Sequence, residues 1–141
     1  MNSNIPYRQF AKFIIVGCLN TAVTLSVIAL CKSVLGINLY LSNLIGYVAG
    51  VVNAFMWNKM WVFHADGHMA RQASRFLAGF IVCYLMQLGV VWAMLNLTPL
   101  GAMTWLIGSY TLSGYGVATV IGMALYTIAN FIINKFFAFS R

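Results

Sequence analysis

Apolar runs of membrane-spanning length alternate with short polar breaks along most of this chain, and the breaks fall where helices would end. A bilayer crossing needs about 20 apolar residues. The first run covers about 10–31 and stops at Lys32, and the second covers about 40–61. From Phe76 to Asn134 there is no charged residue, a stretch too long for one crossing. Thr98-Pro99-Leu100-Gly101 breaks it, and Ser113-Gly114-Tyr115-Gly116 supplies a second break. The remaining spans therefore fall at about 74–97 and 116–137. The expected fold class is all-α, a polytopic membrane protein of four transmembrane helices. The segment 98–115 is left as a connection of unassigned form.

Composition agrees. Of the 141 residues, 62% are hydrophobic and 6% charged, against roughly 25% charged in a soluble domain. So few charges cannot cover a water-facing surface, and a single membrane domain over 1–141 follows. The net charge of +7 comes from cations scattered singly or in pairs between apolar runs. A nucleic-acid partner needs a basic patch or stripe, so none is expected. Arg8 and Lys12 ahead of the first run resemble a signal-peptide start, but no small-residue cleavage site follows, and the run reads as a retained first span. Cys18, Cys31 and Cys83 all lie in apolar stretches and are odd in number, which argues against a disulfide framework.

The cations also orient the spans. Arg8, Lys12, Lys59, Arg71, Arg75, Lys135 and Arg141 fall on one side and only Lys32 on the other. Short loops rich in Lys and Arg stay in the cytoplasm, so both termini and the central loop are expected there. Trp61, Phe63, Trp105, Tyr110 and Tyr115 fit interfacial aromatic belts.

The two halves of the chain echo each other. Arg8-Gln9-Phe10-Ala11-Lys12-Phe13 opens the first and Arg71-Gln72-Ala73-Ser74-Arg75-Phe76 the second. Each closes on Phe-x-x-Asn-Lys-x-x-x-Phe: Phe55, Asn58, Lys59 and Phe63, then Phe131, Asn134, Lys135 and Phe139. Repeats of two spans, over about 8–65 and 71–141, keep their orientation, so a parallel repeat about an axis along the membrane normal is expected. Each lysine can anchor its helix by snorkelling. That does not account for an asparagine beside it both times.

Polar residues inside the spans are amides and hydroxyls. Span two carries Asn43, Gly46, Gly50, Asn53, Ala54 and Asn58 on one broad face, with Gly46, Gly50 and Ala54 suited to close helix packing. Span four aligns Tyr126, Asn130 and Asn134; span one offers Asn20 and span three Gln87. Such groups either satisfy each other or line a path for a polar headgroup. Amides present donors and acceptors to sugar hydroxyls, and nearby cations suit a phosphate. Asp66, the only acidic residue, lies outside the spans beside His64 and His68. Without a carboxylate in any span there is no proton relay of the usual kind, no carboxylate pair for hydrolysis and no acidic metal site. No enzymatic activity, cofactor or metal is expected, and the His64–His68 cluster reads as a solvated loop.

Phe10-Ala11-Lys12-Phe13 with Val16-Gly17-Cys18-Leu19-Asn20-Thr21, then Phe55-x-x-Asn58-Lys59-x-Trp61-x-Phe63, Arg75-Phe76 and Asn130-Phe131-x-x-Asn134-Lys135-x-x-x-Phe139, together resemble the GtrA-like family of small bacterial membrane proteins. Two departures stand out. Ala54 occupies a place where the family often has the asparagine that Asn130 supplies in the second half. Lys59 and Lys135 replace a frequent arginine, which keeps the charge and loses the bidentate fork. The resemblance implies translocation of a polyprenyl-phosphate-linked monosaccharide, such as an undecaprenyl phosphate sugar, across the bacterial cytoplasmic membrane. The sugar would then decorate a surface polysaccharide such as O-antigen or teichoic acid. On that reading Lys59, Lys135, Arg75 and Lys12 recruit the phosphate. Asn20, Asn53, Asn58, Asn130, Asn134, Tyr126 and Gln87 meet the sugar. Partners would be the lipid-linked sugar, membrane lipid, a membrane glycosyltransferase, and a second copy of the chain, with the Gly46/Gly50 face at a helix contact that the sequence does not specify. The alternatives are a non-transporting subunit that anchors or stabilises the glycosyltransferase, and, more remotely, a small-multidrug-type exporter, which needs the missing membrane carboxylate.

Overall fold

The computed structural model describes residues 5–140. Four long helices account for most of them: α1 (Ile5–Ser33), α2 (Leu39–Trp57), α3 (Met69–Leu97) and α4 (Gly114–Ile133). With the turns that extend α2 and α4, all four are long and apolar enough to cross a bilayer. The chain is a multi-pass membrane protein. At 1.5 Å per residue, the 29 residues of α1 and of α3 reach about 43 Å, beyond the roughly 30 Å hydrocarbon core. Their ends must therefore tilt or stand out of the hydrocarbon, which suits the cations in their first turns.

The described residues form two compact units, 5–68 and Met69–Ser140. The first is the hairpin of α1 and α2. Asn38 caps α2, its side chain accepting from the Leu41 N–H at 2.9 Å. The two helices approach closely because Gly46 and Gly50 carry no side chain. A Cβ on Gly46 would meet the side chain of Ile28 and, at 3.0 Å, the Thr24 carbonyl; one on Gly50 would meet the Thr24 hydroxyl. The glycine face expected to pack helices is therefore spent inside the hairpin, against α1, and is not a free surface for a second copy.

The second unit pairs α3 with α4 by the same device: a Cβ on Gly122 would stand 2.8 Å from Val91 and 3.3 Å from Gln87. Its connection, which the sequence left unassigned, holds the only strands among the described residues. Thr98 caps a short 3₁₀ turn (Pro99–Ala102), and a β-hairpin follows, β1 (Thr104–Ile107) with β2 (Tyr110–Ser113). Gly108, at φ 63°, is the first central residue of the two-residue loop, the position a type II′ turn reserves for glycine. Trp105 lies across from Leu112 and Ile107 across from Tyr110, so one face is wholly apolar; Thr104, Thr111 and Ser113 share the other face with Leu106. All eight strand residues are exposed. The Gly114 N–H donates to the Met103 carbonyl at 2.8 Å and ties the hairpin to the start of α4, while Ser113 caps that helix.

Candidate functional site

Both α2 and α4 end in the same unusual way. After Asn58 the helical ladder widens to a π turn (Asn58–Val62), closed by the Phe63 N–H on the Asn58 carbonyl at 2.9 Å. After Asn134 it widens again (Asn134–Ala138), closed by Phe139 on the Asn134 carbonyl at 2.9 Å. Single π turns inside helices are rare and frequent at functional sites. Each turn also carries a side-chain bond. Asn58 Nδ2 donates back to the Ala54 carbonyl at 2.8 Å, and Asn134 Nδ2 to the Asn130 carbonyl at 2.7 Å. The same carbonyls keep the backbone N–H of residues 58 and 134, so the side chain adds a donor where the ladder begins to widen.

The end of a helix leaves carbonyls without donors. A cation supplies one in each unit. Lys12 Nζ donates to the Trp61 carbonyl at 3.3 Å and lies 5.2 Å from the Trp61 ring centroid. An Arg75 guanidinium nitrogen donates to the Phe137 carbonyl at 3.3 Å, with the guanidinium carbon 5.4 Å from that ring. The next residues along pack rings together, Phe13 on Phe63 with centroids 6.4 Å apart and Phe76 on Phe139 at 6.0 Å. A positive group at a helix C-terminus is also favoured by the helix dipole, by about 0.3–1 kcal/mol at exposed sites and up to about 2 when partly buried. Lys12 and Arg75 thus clamp the turns that carry Asn58-Lys59 and Asn134-Lys135.

Asn58 is 3% exposed and Asn134 0%. Their Nδ2 atoms face carbonyls, which fixes the amide orientation, and each Oδ1 is buried with no hydrogen-bond partner. The halves differ in one bond. Asn134 Nδ2 also reaches Asn130 Oδ1 at 2.8 Å; Ala54 offers Asn58 no such acceptor. Asn53, one residue earlier, does not replace it: among the described hydrogen bonds Asn58 Nδ2 donates to the Ala54 carbonyl and not to Asn53. Lys59 Nζ donates to the Gly67 carbonyl at 3.2 Å. Lys135 Nζ lies 5.8 Å from the Phe131 ring and 5.5 Å from Phe136. Both lysines are half-buried.

The residues singled out in the sequence thus divide. Lys12 with Asn58-Lys59, and Arg75 with Asn130 and Asn134-Lys135, come together around the two π turns. Asn20 and Asn53 lie along α1 and α2, half-buried, with Asn20 Oδ1 3.0 Å from where a Gly50 Cβ would stand. Tyr126 packs edge to face on Phe80, at 6.2 Å, and Gln87 lies against Gly122. Sequence reasoning missed the π turns and the carbonyls of Trp61 and Phe137. It also passed over Gly122, although Gly122 precedes Asn134 by the same interval that separates Gly46 from Asn58.

A family model described as "GtrA/DPMS, transmembrane domain" matches residues 12–139, from the first residue of one clamp to the last of the other. The chain is also 20% identical, over 129 residues, to the uncharacterized membrane protein YwcD of Bacillus subtilis (strain 168). That similarity covers 92% of this chain and 94% of the relative.

Proposed function

This chain belongs to the GtrA/DPMS transmembrane family, and on that premise we propose that it carries a polyprenyl-phosphate-linked monosaccharide across the bacterial cytoplasmic membrane. The observation that supports this most is the duplicated turn: a buried asparagine with an unpartnered Oδ1, followed directly by a lysine and clamped by a further cation. A buried carbonyl oxygen without a donor is costly, on the order of 1–3 kcal/mol. A sugar hydroxyl is a donor that can relieve it. The adjoining ammonium groups suit a phosphate, and the polyprenyl tail stays in lipid.

In this reading Lys59 and Lys135 attract the lipid phosphate at the cytoplasmic interface. Lys12 and Arg75 hold the turns and add positive potential. The amides exchange hydrogen bonds with the sugar as it crosses. With no carboxylate in any span, translocation runs downhill, drawn by consumption of the sugar on the far side.

The test is headgroup translocation in proteoliposomes containing a short-chain polyprenyl-phosphate glucose, followed with an external sugar-oxidising reagent. The intact protein should accelerate equilibration over empty vesicles, and Lys59→Ala with Lys135→Ala should slow it. Normal flipping by a stably inserted double variant would refute the lysine assignment. Activity seen only with a co-reconstituted glycosyltransferase would establish the subunit role instead.

A further inference from the structure

Two sequence shifts relate the contacts inside one unit to those inside the other. A shift of 63 positions carries Gln9, Lys12 and Phe13 of α1 to Gln72, Arg75 and Phe76 of α3. A shift of 76 carries Gly46, Asn58 and Phe63 to Gly122, Asn134 and Phe139. Packing obeys both at once: Gly46 faces Thr24 and Ile28, and Gly122 faces Gln87 and Val91, the residues the first shift requires.

In that register the middles of the spans do not match. Gly17, Asn20, Gly50 and Asn53 of the first unit correspond to Phe80, Cys83, Tyr126 and Ala129 of the second. The second unit fills the region: the Phe80 and Tyr126 rings meet at 85°, and Cys83 is fully buried. The first unit leaves it small and polar. A Cβ on Gly17 would meet nothing within 4 Å. Asn20 Oδ1 and Asn53 Nδ2, an acceptor and a donor, are both buried without a hydrogen-bond partner. Gly50 and Asn53 are three residues apart and share a helix face, and Asn20 Oδ1 lies against Gly50. Among the described residues of the second unit, the corresponding atom set shows only Asn134 Oδ1 unpartnered, and that oxygen belongs to the duplicated turn. Within a bilayer each unpaired polar group costs several kcal/mol, and the first unit holds three more of them than its counterpart: Gln9 Oε1 near the start of α1, and the pair Asn20 Oδ1 and Asn53 Nδ2, opposite in kind.

We propose that the halves have divided their work: Asn20 and Asn53 of the first unit form the recognition site for an uncharged, hydroxyl-bearing headgroup, and the second unit, filled at the corresponding positions by Phe80 and Tyr126, does not take part in that recognition. A hydroxyl of the ligand donates to Asn20 Oδ1 and another accepts from Asn53 Nδ2. This rests on the translocation reading and narrows it, because Tyr126 and Gln87 leave the headgroup path. The phosphate is recognised elsewhere, at the lysines, so sugar and phosphate recognition are separable.

That separability supplies the test. Binding to the detergent-purified full chain is measured for two probes, a short-chain polyprenyl phosphate and the same lipid carrying glucose, alongside translocation of the glucosylated lipid. The intact chain should favour the glucosylated probe. Asn20→Cys and Asn53→Ala, made singly and together, install the second unit's residues. They should abolish that preference and slow translocation at least tenfold while leaving bare-phosphate binding within twofold. Cys83→Ala and Phe80→Leu, in the other unit, should keep the preference. Retained preference in the Asn20/Asn53 variants, or equal loss of both probes, overturns the division while the translocation reading stands. An intact chain that neither distinguishes the probes nor transports overturns both.

Discussion

Replacing Asn134 by alanine should cost more stability than replacing Asn58, although the two residues share a motif and a depth of burial. Both variants delete a buried amide of the same size and an unpartnered Oδ1, so those contributions cancel in the difference. Both lose one hydrogen bond to a carbonyl four residues back. That carbonyl also accepts a backbone N–H, from residue 58 or 134 itself, so it is not orphaned. What remains is the second bond, Asn134 Nδ2 to Asn130 Oδ1 at 2.8 Å. Hydrogen bonds within membrane proteins average about 0.6 kcal/mol in double-mutant cycles. Leaving a buried acceptor unpaired costs about 1–3 kcal/mol. Asn130 is half-buried, which favours the lower end of that range. Asn134→Ala should therefore exceed Asn58→Ala by about 1–2 kcal/mol. Reversible unfolding in mixed micelles, followed by far-ultraviolet circular dichroism, measures both. Equal costs, or a larger cost at Asn58, would refute the assignment of the extra bond. The converse substitution sharpens the test: Ala54→Asn offers Asn58 a second acceptor and should stabilise the chain by about 0.5–1 kcal/mol.

Other consequences can be checked in the same preparations. Gly46→Ala drives a methyl group against Ile28 and the Thr24 carbonyl, and should destabilise the hairpin by about 1–3 kcal/mol, whereas Gly89→Ala meets nothing within 4 Å and should be neutral or stabilising. Lys12→Met removes the donor to the Trp61 carbonyl and should weaken the first unit by about 1–2 kcal/mol in thermal unfolding. Lys12→Arg should largely restore it, because Arg75 performs the same task in the second unit. The apolar hairpin face should lie in lipid: with Trp105 as the sole tryptophan, its emission should be quenched by brominated lipid, and a water-soluble quencher acting alone would show the face to be solvated.

The spans were legible in the sequence because hydrocarbon imposes a simple rule. Apolar runs of bilayer length, punctuated by Lys32, Pro99 and Gly114, admit little but helices when every backbone group must be satisfied internally. The Asn-Lys motifs were legible too, since they repeat in type and spacing. What they do was not. The π turns depend on a one-residue slip in the backbone ladder, which no side-chain pattern records. The Lys12–Trp61 and Arg75–Phe137 bonds join residues 49 and 62 positions apart, and only helix packing brings them together. The Gly46/Gly50 pattern announces a close contact without naming the partner; the tertiary structure supplies α1. The hairpin escaped because four-residue strands carry too short an alternation to stand out against apolar neighbours, and an isolated hairpin is marginal without the tether at Gly114. Local composition thus determined what the chain dissolves in and where it crosses, since transfer free energy sums over residues. Which polar atoms end without partners was decided only by packing, because satisfaction of a donor or acceptor is a property of its neighbours in space.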